Sequence, residues 1–147
     1  MKFNNLNIYE GHWKDDKNDE YGNMRYNNGD KYEGNWKNDL KEGFGIMKYN
    51  NGDQYKRNWK NDLKDGEGEY NYNNGDYYKG KYKNNLRNGN GILIYSSGKI
   101  YDGEWENNKK NGKGKITYKY TMKYLKDILK KIKKKEKEFL NLIMKKK

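Results

Sequence analysis

Cysteine and proline are absent from these 147 residues, and histidine occurs once, at His12. The first absence removes disulfides, thiolate nucleophiles and thiolate metal sites. The second leaves every backbone N–H available for a sheet ladder, which a proline would interrupt. A single histidine supplies no His-based triad or general base. Apolar residues are scarce as well, 31% hydrophobic against 37% charged, and no stretch approaches the roughly 20 apolar residues that span a bilayer. The opening Met1-Lys2-Phe3-Asn4-Asn5-Leu6-Asn7 lacks the apolar run of a secretory signal. Lys2 does not fit N-myristoylation, and Lys145-Lys146-Lys147 does not fit prenylation. The expectation is a cytoplasmic protein whose membrane contact is peripheral.

So polar a composition borders on the disordered class, but disordered chains are poor in aromatics. This one has sixteen Tyr, four Trp and three Phe. A chain of this kind folds only if its few apolar groups recur in register, so that small contacts add up along a surface. They do recur. Tyr9-Glu10-Gly11-His12-Trp13 returns as Tyr32-Glu33-Gly34-Asn35-Trp36, Tyr55-Lys56-Arg57-Asn58-Trp59, Tyr78-Lys79-Gly80-Lys81-Tyr82 and Tyr101-Asp102-Gly103-Glu104-Trp105, always 23 residues on. Behind each follow a glycine (Gly22, Gly45, Gly68, Gly91, Gly114), an apolar or aromatic residue (Met24, Met47, Tyr70, Leu93, Ile116) and a tyrosine (Tyr26, Tyr49, Tyr72, Tyr95, Tyr118).

Within a unit the period is two, the mark of a half-buried strand. Asn28-Gly29, Asn51-Gly52, Asn74-Gly75 and Ser97-Gly98 punctuate the units with turn chemistry. The pattern predicts about ten short antiparallel strands in one twisted sheet, mainly β, with Tyr, Gly, Trp and Met/Leu/Ile columns on one face. Glycines leave gaps into which neighbouring rings lean, and part of each ring is expected to stay exposed. The units run 8–30, 31–53, 54–76, 77–99 and 100–118, after a lead-in at 1–7.

Tyr-Glu-Gly-x-Trp, then Gly-x-Gly and an Asn-Gly-Asp turn on a 23-residue beat, resembles the MORN repeat over residues 8–118. The resemblance implies an elongated single-layer antiparallel sheet curved into a gutter, its aromatics on the concave side. It also implies a scaffold or adaptor at membranes or cytoskeletal structures, with a gutter able to hold a partner helix. On this chain the gutter would be Tyr32, Trp36, Tyr55, Arg57, Trp59, Tyr78 and Tyr82. Binding of phosphoinositides or other anionic lipids is also proposed for the family.

Three departures from the repeat stand out. Lys56 and Arg57 replace the column acid and glycine in the third unit. The Arg57 guanidinium is expected on the aromatic face beside Tyr55 and Trp59, where it could read a carboxylate, unless the change is drift in a tolerant repeat. Tyr82 fills a tryptophan column, and Glu20 stands where later units have Gly43, Gly66, Gly89 and Gly112, as suits a capping unit. None of this builds an active site. Asp30, Asp53 and Asp76 are turn formers, and Gly-x-Gly pairs such as Gly43-Phe44-Gly45 sit between strands, without the helix N-terminus of a phosphate loop. A non-enzymatic protein without cofactor or metal is expected.

From Lys119 to Lys147 the character changes. Twelve Lys stand against Asp127, Glu136 and Glu138, so most of the formal +12 belongs to this segment. Thr121 is a reasonable N-cap. Met122, Leu125, Leu129, Ile132, Phe139 and Ile143 fall on a three-four spacing, giving an amphipathic helix over 119–147. It could pack on the sheet, join a coiled coil, serve a calmodulin-like partner, or lie on an anionic membrane through Lys133, Lys134, Lys135, Lys137, Phe139 and Ile143. Docking of 121–132 with membrane or partner contact beyond is the expectation. Nucleic acid is disfavoured, because aromatics and charge are not interleaved on one surface. The expected function is a scaffold whose gutter binds a helical or peptide segment of a protein; the alternative is a peripheral tether, and a homodimer is allowed.

Overall fold

The computed structural model describes residues 6–144, with side chains described except at 120–125 and 139–144. Ten strands follow one another: β1 (Ile8–Lys14), β2 (Lys17–Arg25), β3 (Lys31–Lys37), β4 (Leu40–Lys48), β5 (Gln54–Lys60), β6 (Leu63–Asn71), β7 (Tyr77–Lys83), β8 (Leu86–Ile94), β9 (Lys99–Glu106) and β10 (Lys109–Tyr118). They pair in chain order as one ten-stranded sheet. A helix, α1 (Lys119–Met144), follows. The chain divides into two compact units, one ending at Ile116 and the other beginning at Thr117. Because β10 runs straight into α1, Thr121 is the third helical residue and not the N-cap.

Two kinds of turn alternate, and each is written in the local sequence. Inside a repeat the strands join through two residues that both have positive φ: Asn38 and Asp39 at 48° and 68°, Asn84 and Asn85 at 48° and 69°. Two positive φ values define a type I′ hairpin, whose twist matches that of the strands and which Asn and Asp tolerate best. Between repeats the loop is longer. Gly29 N–H donates to the Tyr26 carbonyl at 3.0 Å and Tyr26 N–H to the Asp30 carbonyl at 2.9 Å, with only Gly29 at positive φ, 91°. That is a type I turn closed by a glycine bulge. Asn-Gly signals the second kind in the sequence; the first is encoded by pairs such as Asn38-Asp39, which carry no glycine.

The sheet has one packed face. Its buried residues are Tyr9, Tyr32, Tyr55, Tyr78 and Tyr101, then Trp36, Trp59, Tyr82 and Trp105, then Met24, Met47 and Leu93. Each tyrosine ring folds flat over a cross-strand glycine pair of its own hairpin, except Tyr55, which lies over Gly68 alone because its partner position is Arg57. A methyl group at Gly45 would overlap the Tyr32 ring, and one at Gly68 would lie 2.5 Å from Tyr55 Oη. The hydroxyl then reaches back to its own strand: Tyr32 donates to the Asn35 carbonyl at 3.0 Å and Tyr55 to the Asn58 carbonyl at 2.9 Å. Tryptophan ties repeats together, Trp36 Nε1 donating to the Gly22 carbonyl at 3.3 Å and Trp105 Nε1 to the Gly91 carbonyl at 3.0 Å.

Between these columns the rings meet edge to face without a break. Tyr32 contacts Trp36 of its own repeat at 5.0 Å and Trp59 of the next at 5.5 Å, interplanar 86° and 89°. Tyr55 does the same with Trp59 and Tyr82, and Tyr78 with Tyr82 and Trp105. The expected partial exposure of these rings is corrected here. Tyr55 and Tyr78 are 0% exposed and Trp59 4%, because a further row, Tyr26, Tyr49, Tyr70, Tyr72 and Tyr95, packs against them.

Two substitutions separate these causes. Gly45→Ala should cost about 3 kcal/mol, since the added methyl must displace the Tyr32 ring. Glu20 holds φ 56° at the bulge where later repeats have glycine, so Glu20→Gly should gain about 1 kcal/mol by removing left-handed strain. Urea denaturation of the two variants measures both; a neutral Gly45→Ala would remove the ring-over-glycine account.

Candidate functional site: the aromatic face

The sequence places Tyr32, Trp36, Tyr55, Trp59, Tyr78 and Tyr82 together in a gutter, and the structure does bring them onto one face, as its buried layer. What solvent meets is the layer above. It consists of the half-buried tyrosine row and a column of cations that faces the tryptophans across each hairpin: Lys41 opposite Trp36, Lys64 opposite Trp59, Arg87 opposite Tyr82. Alternation puts these side chains on the aromatic face, which corrects the expectation that aromatics and charge are not interleaved on one surface. They lie over rings. Lys41 Nζ is 5.4 Å from the Trp59 ring centre, Lys64 Nζ 4.7 Å from Tyr70, the Arg87 guanidinium 4.2 Å from Trp105 and Lys110 Nζ 4.6 Å from Tyr101. At these distances the ring quadrupole attracts a cation.

Arg57 is elsewhere. Its backbone takes φ 120° and its guanidinium crosses to the opposite face, where Nη2 donates to Glu69 Oε1 at 2.6 Å and Nε at 3.0 Å. Lys79 joins the same carboxylate at 3.4 Å. The expected place beside Tyr55 and Trp59 is closed for a steric reason: the Tyr55 ring lies where a side chain at this glycine column would start. Hydrogen bonding from Arg57 holds the Glu69 carboxyl below the usual range.

Loops at both ends of the strands clamp one repeat to the next. Asp30 Oδ1 accepts the N–H of Asn50 at 2.8 Å, Asp53 that of Asn73 at 2.8 Å, and Asp76 that of Ser96 at 2.8 Å. These aspartates are turn formers, as read from sequence, and they also bind the following repeat. The type I′ turns act backwards in the same way: Lys41 N–H donates to Asp62 Oδ1 at 2.9 Å while Asp62 N–H donates to the Lys41 carbonyl at 3.1 Å. His12 is an exposed residue 3.8 Å from Glu20. Among the described residues no cluster of acids and histidine forms a metal site.

Burial sets the electrostatics of the face. It pushes the Tyr49 hydroxyl up to about 12 and raises Tyr26, Tyr55 and Tyr78 further, so these four phenols stay neutral. The ammonium of Lys64 moves the other way, down to about 8, because desolvation outweighs the opposing pull of Asp53. Lys41 in the same position has an ion pair, Nζ to Asp62 Oδ1 at 2.9 Å.

On α1, Lys133, Lys134, Lys135 and Lys137 are all exposed, Lys134 lying 4.0 Å from Glu138 one turn on. The side chains of Phe139 and Ile143 lie outside the described residues. No helix among the described residues is long and apolar enough to cross a membrane.

The family model for the MORN repeat matches residues 9–31, 32–54, 58–77, 78–100 and 101–119. The chain belongs to the MORN-repeat family. The third match begins just after Arg57, the residue that breaks the column. No curated protein matches the chain. Among solved structures, the TCP domain of SAS-4 (dCPAP) from Drosophila melanogaster, in complex with a proline-rich motif of Ana2 (dSTIL), is similar at 19% identity. That match covers 80% of this MORN chain and 81% of the other, with a TM-score of 0.33.

The half-buried Lys64 of this MORN sheet has a measurable signature. An amine depressed in the folded state costs stability while it is charged there, and the cost disappears as pH rises from about 8 toward its unfolded value. The tyrosines act oppositely: raised in the fold, they lose stability above pH 10. Lys64→Met should therefore stabilise the protein at pH 7, and its advantage should shrink by pH 9.5. Parallel denaturation curves at the two pH values test this; an advantage independent of pH would place the cost of Lys64 in packing alone.

Proposed function

We propose that this MORN array is a non-enzymatic scaffold that holds a helical or peptide segment of a protein partner against its aromatic face. The observation that carries the reading is the composition of that face's outer layer. Five half-buried tyrosines, each an apolar body with a polar tip, alternate with cations on a backbone held rigid by the buried zipper. Tyrosine gives large contact area at low entropic cost, and aromatics with arginine are what binding surfaces concentrate. The buried Tyr32, Trp36, Tyr55, Trp59, Tyr78 and Tyr82 support the surface from beneath. Contact belongs to Tyr26, Tyr49, Tyr72 and the cations beside them. Membrane, cytoskeletal and cytoplasmic placement, and a homodimer, are parts of this proposal and not of the fold.

A photo-cross-linking residue at position 49 or 72 should capture the partner in the protein's native cells, and the same residue at Phe44 should not. Phe44 is exposed and pairs with Asn58 on the opposite face. Capture at Phe44 alone would move the binding surface to the other side of the sheet.

A second reading, a peripheral tether on anionic lipid, is favoured by α1, where Leu129 and Ile132 are 55% and 48% exposed beside a run of lysines. Each lysine near an anionic surface adds about 1 kcal/mol, screened by salt. Changing Lys133, Lys134, Lys135 and Lys137 to Gln should abolish co-sedimentation with phosphatidylserine vesicles at low salt; no binding by the intact protein would end the tether reading.

A further inference from the structure

The cation column and the turn residues that clamp it change charge along the sheet. In sequence order the column reads Asn18, Lys41, Lys64, Arg87 and Lys110, and the clamping turn residues read Asp39, Asp62, Asn85 and Asn108. Asp39 holds the Asn18 N–H at 2.7 Å, so the first pair carries an acid without a cation. In the second, Asp62 neutralises Lys41. One repeat on, Asn85 makes the same backbone bond to the Lys64 N–H at 2.9 Å but brings no charge. Asn108 does likewise for Arg87, meeting its guanidinium Nη2 through a carbonyl at 3.0 Å. Among the described residues no carboxylate oxygen lies within 4 Å of the Lys64 ammonium or the Arg87 guanidinium.

Those two cations line one cavity of about 200 Å³, together with Tyr70, Tyr72, Tyr82, Asn85 and Asn108. It opens where Tyr82 replaces the column tryptophan, a phenol in place of a larger indole. The Tyr70 hydroxyl is already donated to Asp53 at 2.9 Å. The Tyr72 and Tyr82 hydroxyls have no hydrogen-bond partner among the described residues and remain as donors.

We propose that this cavity is an anion site that takes the carboxylate of an acidic side chain on a protein segment lying across the aromatic face. The proposal rests on the reading of that face as a protein-binding surface. The fold supplies its own precedent: a carboxylate occupies the corresponding place beside Lys41, contributed by Asp62, and here that place is left for a carboxylate from outside. A half-buried ammonium whose only acidic neighbour, Asp53, lies beyond ion-pair distance gains from an incoming anion what solvent no longer provides, and a guanidinium beside it can hold the second oxygen. Because the first repeats carry their acid internally and the later ones their cations unpaired, the site also fixes direction. The acidic end of the bound segment lies toward β8.

The test uses the full-length protein, labelled for NMR and titrated with three probes: a blocked peptide with one central glutamate among alanines, its glutamine twin, and inorganic phosphate. The glutamate peptide should shift the amides of Lys64, Asn85 and Arg87, and the glutamine twin should not. Asn85→Asp, which installs the internal carboxylate at a turn position where Asp39 and Asp62 already sit, should weaken binding at least tenfold while leaving the protein folded. Lys64→Met should do the same, and changing Lys133, Lys134, Lys135 and Lys137 to Gln should change nothing at these amides. Equal response to the glutamine twin, unchanged binding in both site variants, or loss only in the tail variant would overturn the proposal. Tighter binding of phosphate at the same amides would make this a phosphate site and overturn the carboxylate assignment. The two readings fail separately. If the partner still cross-links with unchanged affinity in Asn85→Asp, the anion site falls and the scaffold stands. If the peptide binds but no partner is captured at position 49 or 72, the scaffold reading falls and the site stands.

Discussion

A tyrosine ring lying across two glycines is the contact on which this sheet depends. Single-layer sheets have no second layer to bury their apolar face, so each ring must find its burial on its own hairpin and against the rings of the adjacent repeat. Removing both Cβ atoms beneath the ring lets it lie flat on backbone, and donation of its hydroxyl to a carbonyl three residues on satisfies the one polar atom that would otherwise be stranded. Lying flat presents the ring edge to tryptophans on either side. Nine edge-to-face contacts then run from Trp13 to Tyr101. At about 0.5–1.5 kcal/mol each beyond their buried area, they add on the order of 10 kcal/mol, as much as the whole net stability of an ordinary domain.

This also explains how a chain with 37% charged residues folds at all. Its polar groups are recruited into the repeat: asparagine and aspartate take the positive-φ turns and reach across to neighbouring repeats, and lysines cover the rings with their aliphatic stems and ammonium groups. Each repeat contacts only its neighbours, so a change in one unit has a local effect. Arg57 shows this. It breaks the glycine column, yet the backbone answers with one residue at φ 120° and a new ion pair on the far face, and the zipper above it continues through Tyr55 and Trp59. The same locality lets single substitutions, Asn85 for aspartate or Tyr82 for tryptophan, turn one repeat into a binding site without disturbing the rest.

Much of the architecture was legible beforehand because a strand's period of two assigns every side chain to a face. Five tandem copies made that assignment redundant. Tyr32, Trp36, Tyr55, Trp59, Tyr78 and Tyr82 were placed on one face by alternation alone, and Gly45 and Gly68 were read as gaps for neighbouring rings. Arg57 was misplaced because alternation assumes ordinary φ, and a residue forced to positive φ leaves its assigned face. Thr121 was read as a cap because its residue type suits that position, while β10 passes directly into α1.

The sequence by itself determined the number of repeats, their register, the two turn chemistries and the face on which the aromatics gather. These follow from local rules of spacing and conformational preference that act over fewer than 23 residues. Only the tertiary structure decided which aromatics are buried and which are met by solvent. Depth depends on what the adjacent repeat lays on top, and alternation says nothing of depth. It likewise decided that Lys41 is neutralised and Lys64 is not. That difference arises between residues 21 apart, through a turn that folds back onto the preceding repeat, and a carboxylate there becomes a counter-ion only once the chain has brought it within 3 Å of the ammonium.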